Sequence, residues 1–151
     1  MYGATTNVGV SQTQDAIKRL LLAEGATGFG VAEEGQKAVV MWRIHDRSYR
    51  MVFNLPNMND AKFCQTPTGR LRSTRDTIRL HDQAIRAHWR AMLLVIRATL
   101  EAVALGVVSI EQAFGSALVL GHGMSVGEVV EAKAASGKLP DSVPMLEGPG
   151  A

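Results

Sequence analysis

Apolar residues recur at helical spacing just after a short polar start. Ala16, Ile17, Leu20 and Leu21 share one face, Ser11 with Gln14 forms a capping-box pattern, and Gly25 offers a stop. The pattern predicts a helix over residues 12–24 and leaves residues 1–10, which are small and polar, as a flexible arm. The period then changes to two. Phe29 and Val31 begin a strand over 27–32, and Glu33 to Gln36 form a turn. A second strand over 37–45 offers Ala38, Val40, Trp42 and Ile44 to one face. A third over 48–55 offers Tyr49, Met51, Phe53 and Leu55, with Ser48, Arg50, Val52 and Asn54 opposite. A tight turn at Asp46-Arg47 joins them.

Residues 56–70 are rich in Asn, Asp, Thr, Pro and Gly and predict a loop. Ser73 with Asp76 then opens one long helix, 74–105, closed by Gly106. Ser109 with Gln112 caps a short helix through Leu118, residues 120–124 turn, and Ser125 with Glu128 caps a last helix over 126–135 before Gly137. The tail from Lys138 holds three of the five prolines and predicts an extended segment. The expected fold is α+β: an N-terminal helix, a three-stranded antiparallel meander, one long helix and two short C-terminal helices. The expected organisation is an arm (1–10), one domain (11–137) and a tail (138–151).

The long helix carries two stripes. Ile78, Ile85, Trp89, Met92, Ile96, Leu100 and Val103 fall within one narrow sector at about 100° per residue. Arg79, Arg86, Arg90 and Arg97 fall in a second sector beside it, and Arg72 and Arg75 extend that line towards the N-terminus. The section 91–96 is apolar all round, so it needs cover on every side, from the sheet and C-terminal helices or from a second chain.

Composition sharpens this picture through its distribution. The 151 residues carry a formal charge of +2. Residues 1–61 have six bases and six acids, while residues 62–97 have eight bases, seven of them arginine, against two acids. Residues 98–151 have two bases against six acids. Arginine's planar fork matches phosphate and carboxylate, so the ridge fits successive phosphates without reading bases. The rival reading pairs the ridge with Glu101, Glu111, Glu128 and Glu131, within the chain or between copies. Length and hydropathy exclude a multidomain enzyme and a membrane span. The single Cys64 excludes an internal disulfide framework. With no signal-peptide pattern, the cytoplasm of the host cell is the expected location.

Catalytic patterns are weak. His81 and His88 are seven residues apart, a poor spacing for metal ligands on one helix. His81-Asp82 could form a base with an orienting carboxylate, but no nucleophile is placed by the sequence. His45-Asp46 reads as turn chemistry and His122 as part of a glycine turn. Gly28-Phe29-Gly30 lacks the third glycine and following helix of a dinucleotide loop, and the acid–lysine spacing at Glu33 to Lys37 is wrong for a nuclease. Phe29, Trp42, Tyr49 and Phe53 suit either base stacking or a sheet core, with core preferred. No enzyme activity, cofactor or metal is expected.

Four stretches carry a resemblance: residues 24–30 (EGATGFG), 66–70 (TPTGR), 88–98 (HWRAMLLVIRA) and 100–103 (LEAV). Over most of residues 11–135 they resemble a family of small bacteriophage and prophage proteins. Where that family has a Leu-Pro-Asp-Gly hairpin, this chain reads Leu120-Gly121-His122-Gly123. The resemblance implies a phage protein concerned with DNA metabolism or with countering the host. The expected function is non-enzymatic binding of nucleic acid, without sequence preference, through Arg72, Arg75, Arg79, Arg86, Arg90 and Arg97. The alternative is a module that inhibits a host defence or replication protein by docking on an acidic partner. A homo-oligomer is compatible with either.

Overall fold

The computed structural model describes the backbone of residues 2–140 and the side chains of residues 9–140. The order is α1 (Tyr2–Ala23), β1 (Gly28–Glu34), β2 (Lys37–Ile44), β3 (Arg47–Asn54), α2 (Ala61–Cys64), α3 (Thr74–Ala104), α4 (Ile110–Ala113), a 3-10 turn (Gly115–Ala117) and α5 (Val126–Ala135). The fold is α+β, with an antiparallel sheet ordered β1-β2-β3. Of the predicted tail, only residues 138–140 lie within the described chain.

The N-terminus departs from expectation. Residues 2–10 are not a free arm but the opening turns of α1, so Ser11 lies inside the helix instead of capping it. Thr13 Oγ1 donates to the Gly9 carbonyl at 3.1 Å, as interior helical threonines do. Docking explains the extension. A Cβ on Gly9 would lie 2.9 Å from Cδ of Arg86, so glycine lets α1 approach α3 there. Tertiary contact overrides the weak helix propensity of the segment. The far end of α1 closes as expected: Gly25 takes φ 97°, and the Ala26 N–H reaches the Leu21 carbonyl at 3.1 Å.

The β2–β3 turn is His45-Asp46, one residue earlier than expected, because Ile44 pairs with Arg47. Both turn residues take positive φ, 49° and 61°, which matches the right-handed twist of a two-residue hairpin. The strand faces are as the alternation predicts. Ala38, Val40, Trp42, Ile44 and Tyr49 are buried, and α1 and α3 cover them through Ile17, Leu21, Trp89, Ile96 and Leu100. Trp42 stacks on Tyr49 at 5.5 Å, Phe114 meets both rings edge-on, and Phe53 meets Trp89 edge-on at 4.9 Å. Aromatic pairs in these geometries add to simple area burial.

The C-terminal segment follows the outer edge of β3. Leu118 bridges to Tyr49, and the Val119 N–H donates to the Ser48 carbonyl at 2.9 Å. This covers part of an exposed strand edge. The short α2, placed in the predicted loop, seats the buried Phe63 edge-on against His81. The section 91–96 of α3 is covered on one side only: Leu94 is 60% exposed and Val95 50%. Among the described residues, no helix is long and apolar enough to cross a membrane.

Candidate nucleic-acid interface

Helix α3 is started by Ser73, whose Oγ accepts from the Asp76 N–H at 3.2 Å, and stopped by Gly106 at φ 74°. Its apolar stripe faces the sheet, so the adjacent arginine line is displaced towards solvent. The structure distributes the six predicted residues unevenly along that line. Arg75, Arg90 and Arg97 are exposed, and no carboxylate of the described residues lies within 4.0 Å of them. Arg79 is exposed and sits 3.8 Å from Asp76 one turn earlier, a surface pair of small energy. Arg86 is half-buried, its stem against Gly9 of α1. Arg72 does not extend the helical line. It precedes the Ser73 cap, and its Nε donates to the Gln65 carbonyl at 3.1 Å, bracing the loop after α2.

The acidic C-terminal segment takes other partners. Glu111 accepts from Arg47 at 3.0 Å and Glu128 from Arg50 at 2.8 Å, both arginines of β3. Glu101 and Glu131 are exposed and form no ion pair among the described residues. Among the described residues, the match between the basic helix and the acidic C-terminal segment therefore does not form, and Arg75, Arg90 and Arg97 are exposed.

Glu128 has a structural task. It closes the capping box of α5, accepting from the Ser125 N–H at 3.3 Å while Ser125 Oγ accepts from the Glu128 N–H at 3.2 Å. Burial pushes its carboxyl pKa up. The hydrogen bonds from Arg50 and Ser125, with the Arg50 charge, outweigh burial and hold it below the ordinary value of 4.5. A lowered carboxylate pKa stabilises the fold above the unfolded-state value, and that contribution disappears as pH falls through the folded value. Glu128→Gln is thus expected to lower stability by about 1 kcal/mol at neutral pH. The difference in melting temperature from the wild type should shrink to nothing in acid. A difference that is constant between pH 7 and pH 3 contradicts the pairing.

The sheet aromatics are not a stacking platform. Trp42 and Tyr49 are only 3% and 2% exposed, and Phe29 and Phe53 pack against the same core. His88 Nδ1 is 2.8 Å from the Ala84 carbonyl on its own helix, and His122 Nδ1 accepts from the Met124 N–H in its turn. Cys64 Sγ donates to the Met58 carbonyl at 3.2 Å.

His81 and Asp82 meet more than sequence shows. They line a cavity of about 370 Å³ with Ser11, Gln14, Glu33 and Ile85, reached through three separate elements. His81 Nε2 lies 2.8 Å from the Pro56 carbonyl, which can only accept, so Nε2 carries the hydrogen. The buried Nδ1 and the Asp82 Oδ2 have no hydrogen-bond partner among the described residues. Nothing in the spacing of Ser11, Glu33 and His81 signals this grouping, because α1 and β1 come to α3 only in the folded chain. Among the described residues, no three His, Cys, Asp or Glu side chains cluster as metal ligands would.

No protein-family model, curated protein or solved structure matches this chain.

Proposed function

We propose that the protein is a non-enzymatic, phage-type nucleic-acid-binding protein that grips backbone phosphates with the arginines of α3. The observation that carries this reading is the open ridge. Arg75, Arg90 and Arg97 have no carboxylate partner among the described residues, while Glu111 and Glu128 are held by Arg47 and Arg50. From Arg75 to Arg97 the line covers 22 residues, roughly 33 Å of helix, enough for several successive phosphates. Evenly spaced arginines position a protein on the backbone and carry no base information, which favours binding without sequence preference. Arg79 and Arg86 belong to the same line, Arg86 with its stem against α1, while Arg72 lies before the helix and braces the loop after α2.

A second reading rests on a different observation. Leu94 is exposed on α3 between Arg90 and Arg97, and Leu105 is exposed just past the end of the helix. An apolar strip bordered by arginines suits an amphipathic acidic helix of a protein partner. Fluorescence anisotropy with labelled single- and double-stranded 20-mers at 50 and 200 mM salt separates the two. The phosphate reading expects binding at 50 mM that weakens about 10²-fold at 200 mM for four duplex phosphate contacts. Absence of binding to both oligonucleotides at 50 mM salt eliminates it.

A further inference from the structure

Two glycines of β1 are unexplained by the fold. Gly28 and Gly30 point to the sheet face opposite the core residues Phe29 and Val31, and glycine weakens a strand interior. Neither has a positive φ. A Cβ on Gly28 would meet nothing within 4 Å, and one on Gly30 would meet only the terminal methyl of Met41 at 3.6 Å, an ordinary contact. Backbone conformation and internal packing thus leave both positions free for a larger residue. In strands, glycine without such a reason marks a place where something else approaches the backbone.

The surroundings say what approaches. The pairing aligns Gly28 with Arg43 and Ser48 in one cross-strand row, and Gly30 with Met41 and Arg50 in the next. Those rows form the floor of a cavity of about 450 Å³, walled by Val119 and Gly123 of the loop after the 3-10 turn. This loop is fixed: the Val119 N–H donates to the Ser48 carbonyl, and the Leu120 N–H donates to the Met124 carbonyl at 2.8 Å. Two rows of three strands make a floor of roughly 7 by 10 Å, the size of a fused two-ring system. On the β1 side of this floor the two glycines leave bare backbone beside the Met41 thioether, a flat and soft patch that suits an aromatic face, while Arg43, Ser48 and Arg50 stand on the β2 and β3 side. The two arginines differ. Arg50 is spent on Glu128 at 2.8 Å, whereas Arg43 is exposed, with no carboxylate of the described residues within 4.0 Å.

We infer that this open sheet face is a binding site for a small planar aromatic anion, its ring on Gly28, Gly30 and Met41 and its charged group on Arg43. The site lies on the face turned away from α3, so it stands or falls separately from the arginine ridge. The shared chemistry is a ring bearing an anionic substituent, as in a nucleoside monophosphate or an aromatic carboxylate.

The test uses 8-anilinonaphthalene-1-sulfonate as the probe, followed by fluorescence and by amide NMR of the full chain. The site predicts saturable binding that moves the Gly28, Gly30 and Ser48 amide signals. Gly30→Val and Arg43→Ala should each raise the dissociation constant at least tenfold, while Arg90→Ala leaves it unchanged. Gly30→Val should melt no lower than the wild type, since valine suits a strand; should it fail to fold, the exposed Arg43→Ala decides alone. Displacement of the probe by AMP assigns a phosphate-bearing base, and displacement by salicylate but not AMP assigns an aromatic acid. Unmoved glycine amides, unchanged affinity in Arg43→Ala, or displacement by neither competitor overturns the site.

Discussion

Trp89→Ala is expected to cost about 3–5 kcal/mol, a large part of the stability of a domain this size. Trp89 is completely buried at the crossing of α3 and the sheet and meets Phe53 edge-on at 4.9 Å. Truncation removes a large apolar surface and leaves a cavity between two rigid elements that cannot collapse independently. Its indole N–H has no hydrogen-bond partner among the described residues, so shape is the main restraint on the residue there. Trp89→Phe is therefore expected to behave differently. It loses some volume but also removes an unsatisfied buried donor, an effect of about 1–3 kcal/mol in the opposite direction. Chemical denaturation of both variants checks this. Equal losses for alanine and phenylalanine would mean that the indole nitrogen does more than its surroundings indicate.

The contrast between Trp89 and the N-terminus shows which parts of the fold are legible in the chain. Trp89 belongs to a seven-member apolar stripe bounded by Ser73 and Gly106, and the predicted helix differs from the observed one by a single residue at its C-terminal end. Val126–Ala135 is reproduced without error for the same reason, a capping box followed by a glycine stop. Residues 2–10 contain one strong helix former, Ala4, and no apolar period. Their helicity comes from docking α1 on α3 at Gly9, a contact between positions far apart in the chain. The His45-Asp46 turn is shifted by one because two non-glycine residues take positive φ, which the sequence pattern does not favour.

The site is legible in the same unequal way. Helical spacing places Arg75, Arg79, Arg86, Arg90 and Arg97 along one side of α3 before any tertiary contact is considered. It does not reveal that α1 covers the stem of Arg86, or that Arg72 falls before the cap. Nor does a segment-by-segment charge balance reveal which acids pair with which bases. Arg50 and Glu128 are 78 positions apart and meet because the C-terminal segment follows the β3 edge. That pairing and the one between Arg47 and Glu111 remove two acids from the possible partners of the ridge. The glycines of β1 are legible only as interruptions in a strand, since their common face appears once the register with β2 is fixed.

A stepwise removal of ridge arginines is expected to change the salt dependence of nucleic-acid binding in equal increments. Each phosphate contact on duplex DNA contributes about −0.9 to the slope of log affinity against log salt. Arg75, Arg79, Arg90 and Arg97 together predict a slope near −3.6, and Arg90→Ala/Arg97→Ala should bring it to about −1.8. Charge-assisted contacts of this kind correspond to roughly tenfold in affinity each at low salt, so the double variant should bind about 10²-fold more weakly at 50 mM. Arg86→Ala should alter the slope less, because its stem is engaged by α1 and it is half-buried. Arg47→Ala is the control for charge alone: it removes one arginine of β3 already paired with Glu111 at 3.0 Å and should leave the slope near the wild-type value. Leu94→Ser should leave nucleic-acid affinity unchanged while weakening any acidic helical partner that uses the exposed apolar strip. If the Arg47 variant and the Arg90/Arg97 variant change the slope equally, the protein binds through diffuse charge and the line on α3 has no special part in it.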